Sequence, residues 1–527
     1  LKKPVVIHPF LFAIFPILFL YAHNIDKSPP NEILLPIIIT TCLAFLSWLL
    51  LNLILKDKKQ AGLLVSIFLL LFFSYGHIYD MMSLLPFLAK IRHPITVLLF
   101  FSLLLLLGAF LLVKTRWNLR NFTSLFNIIA ISLVAISLVN LGIYWFKTPT
   151  VHSNDDTELT NNLEVGNPET ARSLPNVYYI ILDGYARSDI LEETYHYDNT
   201  DLLDYLDEKG FYVASRSSSN YAQTALSLAS SLNLDYLDNL ANEIGPDSRN
   251  RLPLQDMIQH NFAAKFLKRQ GYLFVTFSSG YAYTEVRNAD IFMTNRWTLS
   301  EFQNILLNTT PIPVLLDRLV PPLSLNNLHR KRILYTFDQL TNRTELESPV
   351  FVFAHILAPH PPFVFGENGE PVNDDRSFSL TDGTHYMQNF GADRDEYIGN
   401  YNRQLTFVNR QLIKTIDAII SDSPTPPIII LQADHGPGSR LDWENPDDTN
   451  TDFKERMSIL NAYYLPDFDY SELHQEISPV NSFRVIFNHY FETNHALLTD
   501  DAFFSSFLQP YAFINVTNQI NAGPELD

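Results

Sequence analysis

Long apolar runs separated by short polar loops fill the first 147 residues, and beyond residue 174 short apolar runs alternate with amphipathic stretches. Runs at about 5–22, 33–55, 61–78, 94–113 and 122–146 each approach the ~20 apolar residues that cross a hydrocarbon core, so five transmembrane helices are predicted within 1–147. A removable leader carries one short apolar core and does not account for five. Lys2 and Lys3 precede the first run, Lys56, Lys58 and Lys59 separate the second from the third, and Lys114, Arg116 and Arg120 separate the fourth from the fifth. Those segments alternate along the chain, so they share one side, and their positive charge makes that side the cytoplasm. An odd number of crossings then places everything after Phe146 outside. The expectation is a multi-pass protein of the cell membrane with an extracytoplasmic domain. Few ionisable residues interrupt the runs, which argues against a transporter whose spans hold paired charges.

Residues 148–174, rich in Asn, Thr, Asp and Glu, read as a polar linker. After it, Val177–Leu182 is apolar throughout and stops at Asp183-Gly184, as a strand buried on both faces should. Similar runs at 272–277, 350–354, 428–431 and 460–465 alternate with helical stretches near 251–269, 398–420 and 480–491. This predicts an α/β domain over 175–527, a mostly parallel central sheet sandwiched by helices. Polar ligands should gather at the carboxyl ends of its strands.

Charge narrows the choice of partner. Residues 1–150 hold 12 Lys and Arg against 4 Asp and Glu, and the remainder holds 25 against 52, a balance of −27 within a whole-chain charge of −19. Nucleic acid needs clustered cations and is excluded. The single cysteine, Cys42, lies in an apolar run, so no intramolecular disulfide forms.

Chemistry enters where strands end. Asp183 follows the first, and an Asp-Gly there is ordinarily a turn. Asp434-His435-Gly436 follows the run at 428–431. An adjacent carboxylate and imidazole can chelate one cation and suit zinc or manganese, with a hydrogen-bonded turn as the alternative. Thr224 stands at the start of a helix whose apolar face includes Ala225, Leu228 and Ala229. On position alone it is an N-cap. A hydroxyl at a helix N-terminus also suits attack on an anionic phosphoryl or sulfuryl centre.

These segments in this order resemble the alkaline phosphatase superfamily in its sulfatase-like branch, above all membrane transferases such as lipid phosphoethanolamine transferases and lipoteichoic-acid synthases. The resemblance implies five N-terminal spans, an extracytoplasmic catalytic domain, and one divalent metal (Zn2+ or Mn2+) held by Asp183, Thr224, Asp434 and His435. It makes Thr224 the nucleophile. Several of the transferases carry Glu where Asp183 stands. His355 and His360, in the segment leading to Pro361-Pro362-Phe363, match the substrate-side histidines, with His360 facing the phosphoryl group. His355 packing behind the site is the alternative. His385 reads as a solvated loop residue, and the segments 456–466 and 480–491 as core.

Sulfatases proper make a formylglycine from the first residue of a Cys/Ser-x-Pro-x-Arg motif, and none surrounds Thr224. Phosphoryl chemistry on a phospholipid head group or a cell-envelope glycan is therefore expected, by transfer or hydrolysis through a phospho-threonine. Sulfuric ester hydrolysis and a catalytically silent envelope scaffold are the alternatives. Nothing in the sequence indicates an oligomeric state.

Overall fold

The computed structural model describes residues 4–83, 93–114, 118–147, 174–296, 298–342, 349–372, 378–444 and 451–521. The chain divides into two units, Leu1–His152 with Leu299–Leu325, and Ser153–Thr298 with Asn326–Asp527. The linker expected over 148–174 lies, except for its final residue, outside the described residues.

The first unit contains helices α1 (His8–His23), α2 (Leu34–Leu55), α3 (Lys58–Ser83), α4 (Pro94–Lys114) and α5 (Arg120–Lys147). Four helical stretches, Pro30–Leu55, Lys58–Met82, Pro94–Lys114 and Arg120–Phe146, are long and apolar enough to cross a membrane. The first of the five expected runs corresponds to α1, an apolar helix shorter than the other four. α1 starts only at His8, where Pro9 fits the first turn, and its 16 residues rise ~24 Å. It is nevertheless an inner helix, with Phe12, Ala13, Ile17 and Tyr21 buried and contacts to α2, α3 and α5. α2 exposes Leu43, Leu46 and Leu50, and α4 exposes Leu103, Leu106 and Leu111, apolar surfaces suited to lipid.

All of 175–527 was expected in the catalytic domain, but Leu299–Leu325 folds with the helices. Its helix Glu301–Asn308 adds Phe302 and Leu306 to the core cluster of Phe12, Tyr21 and Ile25. Gly76 of α3 makes the approach possible. A Cβ there would stand 2.0 Å from Asn308 O, and its N–H donates to Thr309 O at 3.0 Å.

The second unit is built on seven strands: β1 (Val177–Leu182), β2 (Tyr212–Val213), β3 (Leu273–Phe277), β4 (Ile291–Met293), β5 (Val350–Ile356), β6 (Ile428–Gln432) and β7 (Asn461–Tyr464). Their order is β2-β7-β6-β1-β5-β3-β4. The run from β6 to β4 is parallel, and β7 is antiparallel to both β6 and β2. β1 is central and wholly buried. Tyr178, Ile180 and Leu182 share a cluster with Leu405, Val408, Leu412 and Ile416 of the helix Arg394–Asp422. Val177, Tyr179 and Ile181 belong to the opposite layer, with the helices Thr224–Asn233 and Pro479–Phe491. Burying each large apolar side chain contributes roughly 1.5–3 kcal/mol.

The stretch near 251–269 forms two helices, Leu252–Gln259 and Phe262–Arg269, because the Asn261 side chain accepts from Ala264 N at 2.8 Å and starts the second afresh. Ile181 registers with His355 on one side and Gln432 on the other. That alignment brings Asp183, His355 and Asp434 together at the carboxyl ends of three neighbouring strands.

Candidate active site

Three neighbouring parallel strands deliver the central groups. Asp183 follows β1, His355 lies near the end of β5, and Asp434 follows β6; all three are buried, and their ligand atoms lie within 4.8 Å of one another. His355 Nε2 is 3.3 Å from Asp183 Oδ2. His435 Nε2 is 3.5 Å from Asp183 Oδ1 and 3.4 Å from Asp434 Oδ2. Among the described residues, Asp183 Oδ1, Asp434 Oδ2 and His355 Nε2 have no hydrogen-bond partner. Buried orphan acceptors are costly, and one oxygen of each carboxylate is left without a donor among the described residues. The donor set fits a divalent cation, and mixed oxygen and nitrogen donors suit zinc or manganese.

The outer ring atoms support this reading. His435 Nδ1 lies 2.9 Å from Gly436 O, and His355 Nδ1 lies 2.8 Å from Thr284 Oγ1. A proton on His435 Nδ1, donated to Gly436 O, leaves its Nε2 lone pair directed inward, the arrangement of a metal-binding histidine. Gly436 is required by crowding, since a Cβ there would meet Glu455 O at 2.2 Å.

Thr224 opens the helix Thr224–Asn233, buried from Thr224 to Leu232. The N-cap expected of it belongs to Gln223, and the Thr224 hydroxyl makes no capping bond. Its Oγ1 lies 3.1 Å from His435 Nε2 instead. Gln223 is itself held by its side-chain amide, which donates to Ser505 O and Ser506 O and accepts from Arg251 Nη2 at 2.8 Å.

Across the site, His360 N donates to Asp183 O at 3.0 Å, and the two rings His360 and His435 are 6.0 Å apart. His360 Nε2 lies 3.9 Å from Asp382 Oδ2. Burial alone would lower the His360 pKa, but Asp183, Asp382 and the Pro361 carbonyl outweigh it and hold it above its ordinary value. Asp183 and Asp382 are likewise desolvated, yet the histidines around them, and Arg456 for Asp382, keep both below the usual carboxylate value. His435 is lowered by burial and by Arg456.

Asp382 and Arg456 were missed in the sequence. Asp382 accepts from Tyr397 OH at 2.7 Å and from Arg456 Nη1 at 2.8 Å. Arg456 also donates to Gly436 O and, through Nε, to Ala222 O, both at 2.9 Å. One buried guanidinium thus ties the turn after β6 to the loop before Thr224. The available signal was a cation standing immediately before an apolar run, where packing alone had been read. His385, expected in a solvated loop, lies instead in the helix Gly383–Phe390, where it is part-exposed and 3.9 Å from Glu444 Oε1.

A family model described as Sulfatase matches residues 175–508. No curated protein sequence matches the chain. The C-terminal periplasmic domain of EcEptC from Escherichia coli, a zinc complex, is similar at 13% identity and TM-score 0.41, over 68% of this chain and 96% of that one. The integral membrane lipooligosaccharide phosphoethanolamine transferase A (EptA) from Neisseria meningitidis is similar at 13% identity and TM-score 0.39, over 91% and 93%. The phosphonate monoester hydrolase of Agrobacterium radiobacter is similar at 14% identity and TM-score 0.41, over 63% and 80%.

Proposed function

The chain belongs to the sulfatase family, and from that premise we propose a metal-dependent phosphoryl transferase or phosphodiesterase that acts on a phospholipid head group or envelope polymer through a phospho-threonine. The observation that carries the reading is the Thr224 hydroxyl, released from any capping role and lying 3.1 Å from His435 Nε2 beside two orphan carboxylate oxygens. A threonine is not a precursor of formylglycine, which disfavours sulfate-ester hydrolysis. A silent scaffold would gain nothing from burying these charges unpaired.

Asp183, Asp434, His435 and Thr224 would hold one divalent cation, and the position of His355 beside Asp183 supports moving it from the substrate side into this set. Such a cation lowers the hydroxyl pKa and offsets charge on the transferring group. Thr224 Oγ1, deprotonated, attacks phosphorus. The Oγ–P bond forms and the P–O bond to the leaving alcohol breaks, while His360 gives its proton to the departing oxygen. An acceptor hydroxyl or water then attacks the same phosphorus, its proton returns to His360, and the P–Oγ bond breaks. Backbone N–H groups at the start of the Thr224 helix face the charge that develops. A membrane location with this domain outside the cytoplasm belongs to the same proposal and favours a lipid donor.

The test uses the full chain in detergent, supplied with zinc or manganese and offered p-nitrophenyl phosphodiester and sulfate-ester substrates. Phosphodiester cleavage that disappears in Thr224→Ala is expected. Sulfate-ester cleavage that survives the substitution overturns the proposal.

A further inference from the structure

The segment Leu299–Leu325 leaves the catalytic sequence between β4 and β5 and folds with the apolar helices. It meets several of them, each at one particular end. Phe302 stands edge-on to Tyr21 near the C-terminus of α1, with ring centroids 6.4 Å apart. Ser300 Oγ donates to Glu32 Oε2, just ahead of α2, at 2.5 Å. Thr309 O accepts from Gly76 N late in α3, and Val314 packs with Tyr75 of α3 and Val97 at the start of α4. Lys56, Lys58, Lys59 and Lys114 occupy the opposite ends of these helices. The segment therefore covers the ends that the charge rule assigns to the outside.

Its second helix, Ile312–Leu319, places Ile312, Leu315, Leu316 and Leu319 at the i, i+3, i+4, i+7 spacing of one face. Leu315 is 40% exposed and Leu319 74%, and exposed Val320, Pro321 and Pro322 extend the apolar surface. This surface adjoins helices whose own exposed faces are leucine-rich, at the level where they would leave the hydrocarbon. We propose that Ile312–Leu319 and the Pro321–Leu323 turn form an interfacial anchor. The Leu315 and Leu319 face lies in the boundary between head groups and acyl chains of the outer leaflet. The anchor gives the catalytic sequence an attachment to lipid of its own, additional to the chain that enters from α5. It rests on the reading of the apolar helices as membrane spans.

The experiment uses the full chain, with Cys42→Ser, in phosphatidylcholine and phosphatidylglycerol vesicles. Single nitroxide labels are attached at Leu315→Cys, Leu319→Cys, Leu106→Cys on α4, or Glu208→Cys on the catalytic domain. Relaxation by oxygen should rise, and relaxation by a water-soluble nickel chelate should fall, at 315 and 319 as at 106, relative to 208. Nickel access at 315 and 319 with a lipid-like label at 106 overturns the anchor alone. Shielding of 315 and 319 from both reagents also overturns it, since protein then covers the face. Nickel access at 106 as well overturns the anchor together with the membrane reading.

Discussion

Thr224 Oγ1 and His435 Nε2 lie 3.1 Å apart although 211 residues separate them. The contact joins the start of one buried helix to the end of β6. If Thr224 is the nucleophile, Thr224→Ala lowers phosphodiester turnover by about three orders of magnitude. Thr224→Ser keeps a hydroxyl and a measurable fraction of the rate. Mass spectrometry of protein quenched during turnover should find one added phosphoryl-containing group on the peptide carrying Thr224, and none in the alanine variant.

Metal content separates the two readings of His355. Its Nε2 is bare and 3.3 Å from Asp183 Oδ2. As a ligand, His355→Ala lowers the zinc or manganese retained after dialysis, as Asp183→Asn and His435→Ala do. As a substrate-side group it raises KM and leaves metal content unchanged. Elemental analysis of the purified variants decides between them, with about one ion per wild-type chain expected.

Arg456 is the sole cation drawn onto Asp382 at hydrogen-bond distance among the described residues. Arg456→Met therefore leaves a buried carboxylate with only Tyr397 OH and the more distant His360 to offset its desolvation among the partners described, and destabilises the second unit by about 3–5 kcal/mol. Adding Asp382→Asn should recover part of that loss. Pulse proteolysis in urea on the four members of the cycle measures the coupling, and strict additivity would contradict the pairing.

Glu455 sets a pH window of its own. It accepts from Ser439 N, Arg440 N and Tyr195 OH, yet burial pushes it up to about 6 from 4.5. Its folded form binds a proton more tightly than its unfolded form, so its contribution is full below pH 4.5 and declines as pH rises to about 6. The loss amounts to about 2 kcal/mol. Asp183 and Asp382 have depressed values, so their contributions are lost at lower pH, below the unfolded carboxylate value of 3.8. Unfolding midpoints between pH 4.5 and 6.5 should show the decline in wild type and a flatter profile in Glu455→Gln.

What could be read from the chain was local. Val177–Leu182 announced a doubly buried strand, and the same pattern at 428–431 put Asp434 and His435 at a strand end, because burial on both faces leaves no polar position to disguise the run. The role of Asp382 was hidden, since its partners Tyr397 and Arg456 lie 15 and 74 residues away and no spacing rule connects them. Thr224 looked like a cap because a cap is judged from three or four neighbours, whereas His435 reaches it through the whole sheet. The excursion of Leu299–Leu325 had a similar cause. Its amphipathic helices fit a soluble domain equally well, and only Gly76, small enough to admit Asn308 and Thr309, shows where they go.

β1 is flanked by β5 and β6, and Gly184 N donates to Asp434 Oδ1 from a position 250 residues earlier. During synthesis, a nascent chain that has just completed β5 possesses Asp183, Thr224 and His355 but lacks Asp434 and His435, and one flank of β1 is still an open edge. Closing so long a loop comes late in folding. Thr224 thus meets His435 only after β6 and the turn that follows it have left the ribosome. If Thr224 is the nucleophile, a chain that stops short of β6 is a chain without its reaction.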